Sequence, residues 1–218
     1  PSVHVISRNF DHHAKRSGYA RLEEYLGPLM PVYSIDNSFS AKLTAKIPLR
    51  VREDLTRRAY VSTYGLHSLS LEASTMQTWF AQRACVFHHL YGEDTYRYTG
   101  NLKRLPGLKH RNLLVATYHL PPSQLEQILI ARNHIKRLDG VIVVGSSQKS
   151  FFRDMVAPEK IVCIPHGIDI EYFKPGATRT TSEDSVTCTC IGHMMRDFET
   201  LLAVAWILKL ENAPVKII

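Results

Sequence analysis

Short apolar runs alternate along the chain with segments whose apolar positions recur every three or four residues. Two of the runs, residues 113–118 and 141–144, are rich in β-branched residues and carry no charge. Such runs are typical of strands buried on both faces of a parallel sheet, and the alternation is typical of βαβ units. The sequence therefore predicts an α/β fold with a mostly parallel sheet and helices on both faces. The predicted strands are residues 3–7, 32–35, 85–88, 113–118, 141–144 and 161–164.

Helices are predicted between these strands. The first is capped by Ser17. The longest, residues 123–138, is predicted because Ser123 and Glu126 match a capping box and the following apolar positions share one helical face. Residues 92–111 lack such a pattern and are interpreted as a loop with a basic stretch. The other predicted helices are residues 52–61, 69–80 and 146–155.

The composition changes at residues 179–185, which are rich in Ser, Thr and acidic residues and are interpreted as a linker. The pattern then restarts with a strand at residues 186–191 and a helix capped by Asp197. The predicted organisation is a Rossmann-like domain over residues 1–178 and the start of a second one over residues 186–218. Because a lone β-α-β unit cannot bury both of its faces, the second domain is expected to be truncated.

The net charge indicates which kinds of ligand suit the protein, and the cysteines indicate its cellular setting. The 218 residues carry a formal net charge of +7. A basic balance suits a nucleotide diphosphate, an anionic lipid surface or nucleic acid, although a solvated basic surface explains it equally well. No apolar stretch reaches the roughly 18 residues that a membrane-spanning helix requires. Cys188 and Cys190 are interpreted as buried thiols rather than metal ligands, which suits a reducing, cytoplasmic setting.

Candidate binding residues follow the predicted strands, at the edge where open parallel sheets bind ligands. Ser17 and Gly18 open the first helix, so they either bring backbone close to an anion or form a plain turn. His119 comes directly after the strand at residues 113–118. A histidine there can hydrogen-bond a sugar hydroxyl or exchange a proton at neutral pH; the alternative is a histidine that only terminates the strand.

A sharp corner is predicted after the strand at residues 161–164. His166 and Gly167 follow a proline, and Gly167 permits a reversal of the chain. Asp169 can accept hydrogen bonds from backbone amides in the turn. From the residues alone, the corner is structural.

The segment after the linker contains a second group of candidate binding residues. Gly192, His193 and Arg196 lie in a tight loop before a helix. Arg196 and the helix N-terminus could hold a diphosphate, or Arg196 is a surface side chain. Two pairs of adjacent histidines do not form a chelating face, since neighbouring side chains point in different directions. A metal site is therefore not expected.

Taken in order, these segments resemble the retaining glycosyltransferases of the GT-B architecture, in the large glycosyltransferase family four. The most specific match is the run I-P-H-G-I-D at residues 164–169 with the following F-K-P at 173–175, although His166 stands where the family usually has Asn. The strand and serine pair at residues 141–147 and the segment ending in His119 match the same family. Residues 192–202 resemble the start of its donor domain.

The resemblance implies an enzyme that transfers a sugar from a nucleotide-diphosphate sugar to a glycan, lipid-linked or small-molecule acceptor, with retention. It implies that His119 contacts the transferred sugar and that Arg196, with His193, stabilises the departing diphosphate. No cofactor, no metal and no nucleic-acid partner is expected. The expected location is the cytoplasm, where the basic surface also suits peripheral contact with the inner face of an anionic membrane.

Two other classes of protein remain open. One is a GT-B-like module that binds a glycan or nucleotide without turnover. The other is a nucleotide-sugar epimerase of similar fold. Because a two-domain transferase assembles its site between its domains, the 218-residue chain alone is expected to be inactive.

Overall fold

The described residues fall into two compact units, Pro1–His166 and Gly167–Ile218. In the part of the chain that the structure describes, no helix is long and apolar enough to cross a membrane. The computed structural model describes residues 1–8, 21–35, 46–59, 61–108, 112–167, 169–174, 186–190 and 197–217.

The unit Pro1–His166 is built on a six-stranded sheet in the order β2-β1-β3-β4-β5-β6. Every neighbouring pair of strands is parallel. This is the predicted α/β arrangement, Rossmann-like in general kind. Since β2 and β3 lie on opposite sides of β1, the strand order reverses at β1. The strands are β1 (Val3–Ile6), β2 (Val32–Ile35), β3 (Val86–His89), β4 (Leu113–Tyr118), β5 (Gly140–Val143) and β6 (Ile161–Cys163).

Helices flank this sheet, and alternate residues of β1 belong to two separate apolar clusters. Val3 and Val5 are buried in a cluster that Leu22 packs against. Ile6 belongs to the larger cluster, in which Trp79 contacts Phe87 with ring centroids 5.0 Å apart. The α-helices are α1 (Arg21–Leu26), α2 (Leu49–Arg58), α3 (Leu66–Ala81), α4 (Gly92–Thr95), α5 (Pro122–Ile128) and α6 (Lys149–Phe152). Short 3-10 helices span Thr99–Arg104, Ile135–Arg137, Ser146–Gln148 and Pro158–Lys160.

The single long helix predicted over residues 123–138 is wrong. Helix α5 begins at Pro122 without a side-chain cap and ends at Ile128. Leu129 then forms an antiparallel bridge with Val61. Further on, the carbonyl of His134 accepts a hydrogen bond from Tyr96 Oη at 2.8 Å. Tertiary partners therefore take backbone groups that a continuous helix would need for itself, while the apolar positions remain buried.

The interpretation of residues 92–111 as a loop is also wrong. This stretch contains α4 and the 3-10 helix Thr99–Arg104. Both helices are too short to produce the repeat of apolar positions by which longer helices are predicted. The predicted helix at 52–61 is shifted, since α2 spans Leu49–Arg58.

A buried carboxylate holds the start of the 3-10 helix. Glu72 of α3 is 1% exposed, and its Oε1 accepts hydrogen bonds from the backbone amides of Arg97, Tyr98 and Thr99 at 2.5–2.9 Å. Its Oε2 accepts a hydrogen bond from Tyr64 Oη at 2.6 Å. Both oxygens are thus paired. Burial raises the pKa of Glu72, and these hydrogen bonds oppose that rise.

The unit Gly167–Ile218 contains a parallel pair, β7 (Val186–Cys188) and β8 (Val215–Ile217), joined by α7 (Phe198–Leu210). The predicted cap of α7 is confirmed, because Asp197 Oδ1 accepts a hydrogen bond from the amide of Thr200 at 2.9 Å. The prediction that Cys188 and Cys190 are buried is wrong. Both are exposed, and β7 pairs with β8 alone among the described residues.

Candidate active site

His119 lies one residue beyond the carboxyl end of β4, as the sequence predicts. Its side chain is 11% exposed, so the ring is largely enclosed. The carboxyl ends of the parallel strands converge on the same edge of the sheet, and this edge is where ligands bind in open α/β sheets. The residues that surround His119 come from the ends of β3 and β6.

Glu93 is a charged partner of His119 among the described residues. Its Oε1 accepts a hydrogen bond from the backbone amide of His119 at 3.2 Å and lies 3.3 Å from Nδ1 of the same residue. Glu93 belongs to α4, which follows β3 after only two residues. Its side chain is 5% exposed, so this pair is held away from bulk water.

Gly92 allows α4 to lie this close to β4. A Cβ atom at Gly92 would be 2.8 Å from the ring of Tyr118, a distance that real Cβ atoms do not adopt. The Tyr118 ring is fully buried and also contacts Phe152, with centroids 4.7 Å apart. Since that ring cannot easily move, the absence of a side chain at Gly92 is what brings Glu93 beside His119.

Two rings flank the imidazole of His119. Tyr91, between β3 and α4, has its ring centroid 5.2 Å from that of His119. The ring of His166, beyond β6, is stacked on His119 at 5.7 Å with an angle of 11° between the planes. Burial, and then the neighbouring charge of His119, lower the pKa of His166. His166 was predicted as part of a structural corner, and the structure brings it into contact with His119.

An ion pair extends the site toward the end of β1. Arg8 Nη1 lies 3.7 Å from Asp94 Oδ2. Burial raises the pKa of Asp94, the adjacent Glu93 raises it further, and Arg8 lowers it. The cluster therefore combines carboxylates, a guanidinium and imidazoles at one edge of the sheet. Such groups can hydrogen-bond a ligand rich in hydroxyl groups and hold or accept a proton.

Neutral histidines lie beneath this cluster in β3. His88 Nε2 lies 2.8 Å from Thr117 Oγ1, and His89 Nδ1 lies 3.2 Å from Thr95 Oγ1. Burial, followed by the charge of His119, lowers the pKa of His88 to about 4. Burial, followed by the charge of His88, lowers the pKa of His89 to about 3. These two residues are thus uncharged interior groups at neutral pH, as expected of adjacent histidines that face opposite sides of a strand.

The rest of the predicted corner is structural. Asp169 Oδ1 accepts hydrogen bonds from the amides of Glu171 and Tyr172 at 3.1 and 3.0 Å, as the turn pattern indicated. Gly167 does not have a positive φ, and a Cβ atom there would meet nothing within 4 Å. The reversal therefore does not depend on its being a glycine.

Five of the predicted site residues cannot be placed, because they lie outside the described residues. Their assignment stays a prediction. They are Ser17, Gly18, Gly192, His193 and Arg196.

Sequence reasoning missed Glu93, and with it Tyr91, Asp94 and Arg8. The signal was available, because residues 90–95 follow a buried strand just as His119 does, and strand ends at this edge are where ligands bind. No helical repeat of apolar positions marks residues 92–111, so the pattern alone does not single out Glu93 or Asp94.

In the described ranges, no group of three or more His, Cys, Asp or Glu side chains is arranged to hold a metal ion. The expectation of a metal-free site stays a prediction. No protein-family model matches the chain, and no curated protein matches it.

Proposed function

We propose that the protein is a glycosyltransferase of GT-B type, which transfers a sugar from a nucleotide-diphosphate sugar to a hydroxyl-bearing acceptor. The observation that carries the proposal is the enclosure of His119 by Glu93, Tyr91 and His166 at the carboxyl edge of a parallel sheet. The resemblance of residues 141–147 and 164–175 to this class of enzyme adds the reaction type.

The residues of the site take different roles in this reaction. His119 contacts a hydroxyl group of the transferred sugar, and its two flanking rings limit rotation of the imidazole. The ion pair of Arg8 with Asp94 supplies polar groups near the acceptor side of the same edge. Negative charge grows on the departing diphosphate, and Arg196 is assigned from the sequence alone to stabilise it.

The test is a turnover assay on the intact protein. Uridine-, guanosine- and adenosine-diphosphate sugars are each incubated with glycan and lipid-phosphate acceptors, and release of the nucleoside diphosphate is measured with and without acceptor. We expect release that depends on the acceptor. The change His119→Ala should lower kcat by about a hundredfold, the lower range for a group that assists proton transfer or hydrogen bonding in a transition state.

The control is Glu159→Ala, because Glu159 is an exposed residue of the same unit that lies just before β6, at the amino end of that strand and away from the carboxyl edge. It should leave kcat within about twofold, a change of ~0.4 kcal/mol in the barrier. Tight binding of a nucleotide sugar or glycan without any turnover would contradict the proposal and favour a binding module. An altered sugar formed in the absence of acceptor would favour an epimerase.

A further inference from the structure

The carboxylate of Glu93 contacts one residue in two ways. Its Oε1 accepts a hydrogen bond from the backbone amide of His119 at 3.2 Å, and the ring Nδ1 of His119 lies 3.3 Å from the same oxygen. An ionised carboxylate accepts hydrogen bonds and has no proton to donate. The ring nitrogen that faces it must therefore carry the proton, whether the ring is neutral or charged.

We propose that Glu93 is a positioning residue that holds neutral His119 in its Nδ1–H tautomer. In this form, Nε2 carries the lone pair and accepts the hydrogen bond from a ligand hydroxyl. Because the opposite tautomer, Nε2–H, is the commoner form of a neutral histidine side chain in water, the preference is imposed by the protein. The tautomer follows from the geometry of the pair, and its use toward a sugar hydroxyl rests on the proposed function.

The backbone around Glu93 is fixed from two sides. Gly92 packs against the buried Tyr118 ring so closely that a Cβ atom there would lie 2.8 Å from the ring. The carbonyl of Glu93 accepts a hydrogen bond from Thr63 Oγ1 at 3.1 Å. The ring of His119 is in turn bordered by Tyr91 and, in a stacked arrangement, by a second histidine. The carboxylate and the imidazole are therefore both held in place before any ligand binds.

Glu72 and Glu93 are both buried, but their carboxylates differ in how many of their oxygens have hydrogen-bond partners among the described residues. Glu72 has partners at both oxygens, namely three backbone amides and two hydroxyls. Glu93 Oε2 is buried and has no hydrogen-bond partner among the described residues. Buried polar atoms are nearly always paired, and the exceptions tend to have a catalytic role or an unseen partner. Glu93 is thus not a carboxylate whose only task is to tie the backbone together.

The tautomer is measured directly by ¹⁵N NMR of histidine-labelled protein. Spectra are recorded at about pH 8.5, some two units above the ordinary histidine pKa of about 6.5. The His119 signals are assigned by their loss in His119→Gln. We expect a protonated Nδ1 and an unprotonated Nε2 for His119. A protonated Nε2 in the unchanged protein would overturn the proposal without any variant.

Two substitutions of Glu93 test whether its carboxylate causes His119 to prefer the Nδ1–H tautomer. Glu93→Leu removes the acceptor, and Glu93→Asp withdraws it by one methylene, so in each the His119 signals should shift toward the Nε2–H form. If Glu93→Leu does not fold, Glu93→Asp answers the same question with a carboxylate retained. The matched control is Asp94→Asn, a change to the adjacent carboxylate, which should leave the tautomer unchanged. A folded Glu93 variant that keeps the Nδ1–H form would refute the assignment.

A second experiment tests whether the tautomer of His119 affects turnover. In the intact protein, Glu93→Leu should lower kcat about tenfold or more, the usual loss when the partner that orients a functional histidine is removed. An unchanged kcat in a folded variant that has lost the Nδ1–H form would overturn the role of Glu93 in the reaction. If no sugar transfer is found while the tautomer is as expected, the proposed function fails and the positioning of His119 stands.

Discussion

Acidification from pH 7 to pH 5 should destabilise the unit Pro1–His166 through its buried histidines. Four histidines in the described part of this unit are buried, and burial is the largest cause of the lowered pKa of each. Three of them have strongly lowered pKa values. These values are about 4 for His88, about 3 for His89 and about 3 for His134. The unfolded chain binds protons at the ordinary value near 6.5, so between pH 6.5 and pH 4 it takes up more protons than the folded protein.

The sign and size of the effect follow from this difference. A lowered pKa in the folded state gives stability that is present above pH 6.5 and is lost as the pH falls toward the folded values. Between pH 7 and pH 5, each of the three histidines should cost about 2 kcal/mol of the free energy of unfolding. Their sum of about 6 kcal/mol is comparable with the total stability of many domains, about 5–15 kcal/mol. We therefore expect the unit to be close to unfolding at pH 5.

Urea denaturation at several pH values measures this loss, with tryptophan fluorescence as the signal. Trp79 is fully buried in this unit and reports its unfolding, whereas Trp206 is 61% exposed in the other unit and adds a small background change. In His89→Gln the difference in free energy between pH 7 and pH 5 should fall by about 2 kcal/mol. The more exposed His67 provides the comparison. Burial, followed by the charge of Arg8, also lowers its pKa, so His67→Gln should reduce that difference in the same direction but by less than His89→Gln. A free energy of unfolding that stays constant from pH 7 to pH 5 would refute the reasoning.

Three further predictions concern packing and association. Glu72→Ala should lower the free energy of unfolding by about 3 kcal/mol or more, because it leaves buried backbone amides unpaired; a loss below ~1 kcal/mol in urea denaturation would contradict this. Gly92→Ala should cost about 1–3 kcal/mol by overpacking, whereas Gly140→Ala, whose new atom would sit 3.5 Å from its nearest neighbour, is the control. On α7, Leu202 and Trp206 are 68% and 61% exposed. Changing both to Lys should reduce self-association in sedimentation velocity, and unchanged association would exclude this face.

The sheet could be predicted from the sequence because its strands are marked by local chemistry. Residues 113–118 and 141–144 are uncharged and rich in β-branched side chains, and the structure has strands within a residue of those bounds. The long helix at residues 123–138 could not be corrected from the sequence. Its apolar spacing suits a helix, and only the bridge from Val61 and the hydrogen bond from Tyr96, both distant in sequence, show why the backbone leaves the helical path.

The candidate site was predictable only in part, for a related reason. His119 follows an easily recognised strand, so its place at the carboxyl edge could be inferred. The approach of Glu93 depends on contact between Gly92 and the ring of Tyr118, which are 26 residues apart in the sequence. No local pattern encodes that contact. The stacking of His166 on His119 likewise requires the ends of β4 and β6 to be brought together by the strand between them.

The closeness of the neutral histidines to the candidate site affects how its pH dependence is interpreted. His88 and His89 are the last two residues of β3, and Glu93 follows within four residues. Protonation of either buried ring would disturb the strand that positions Glu93 and Tyr91. For the proposed transferase, a loss of turnover below pH 6 would then arise either from opening of this strand end or from titration of a group that touches substrate. The two causes separate experimentally, because opening should be reduced in His89→Gln and should change the fluorescence of the buried Trp79 over the same pH range, whereas titration of a site residue leaves Trp79 in its folded environment.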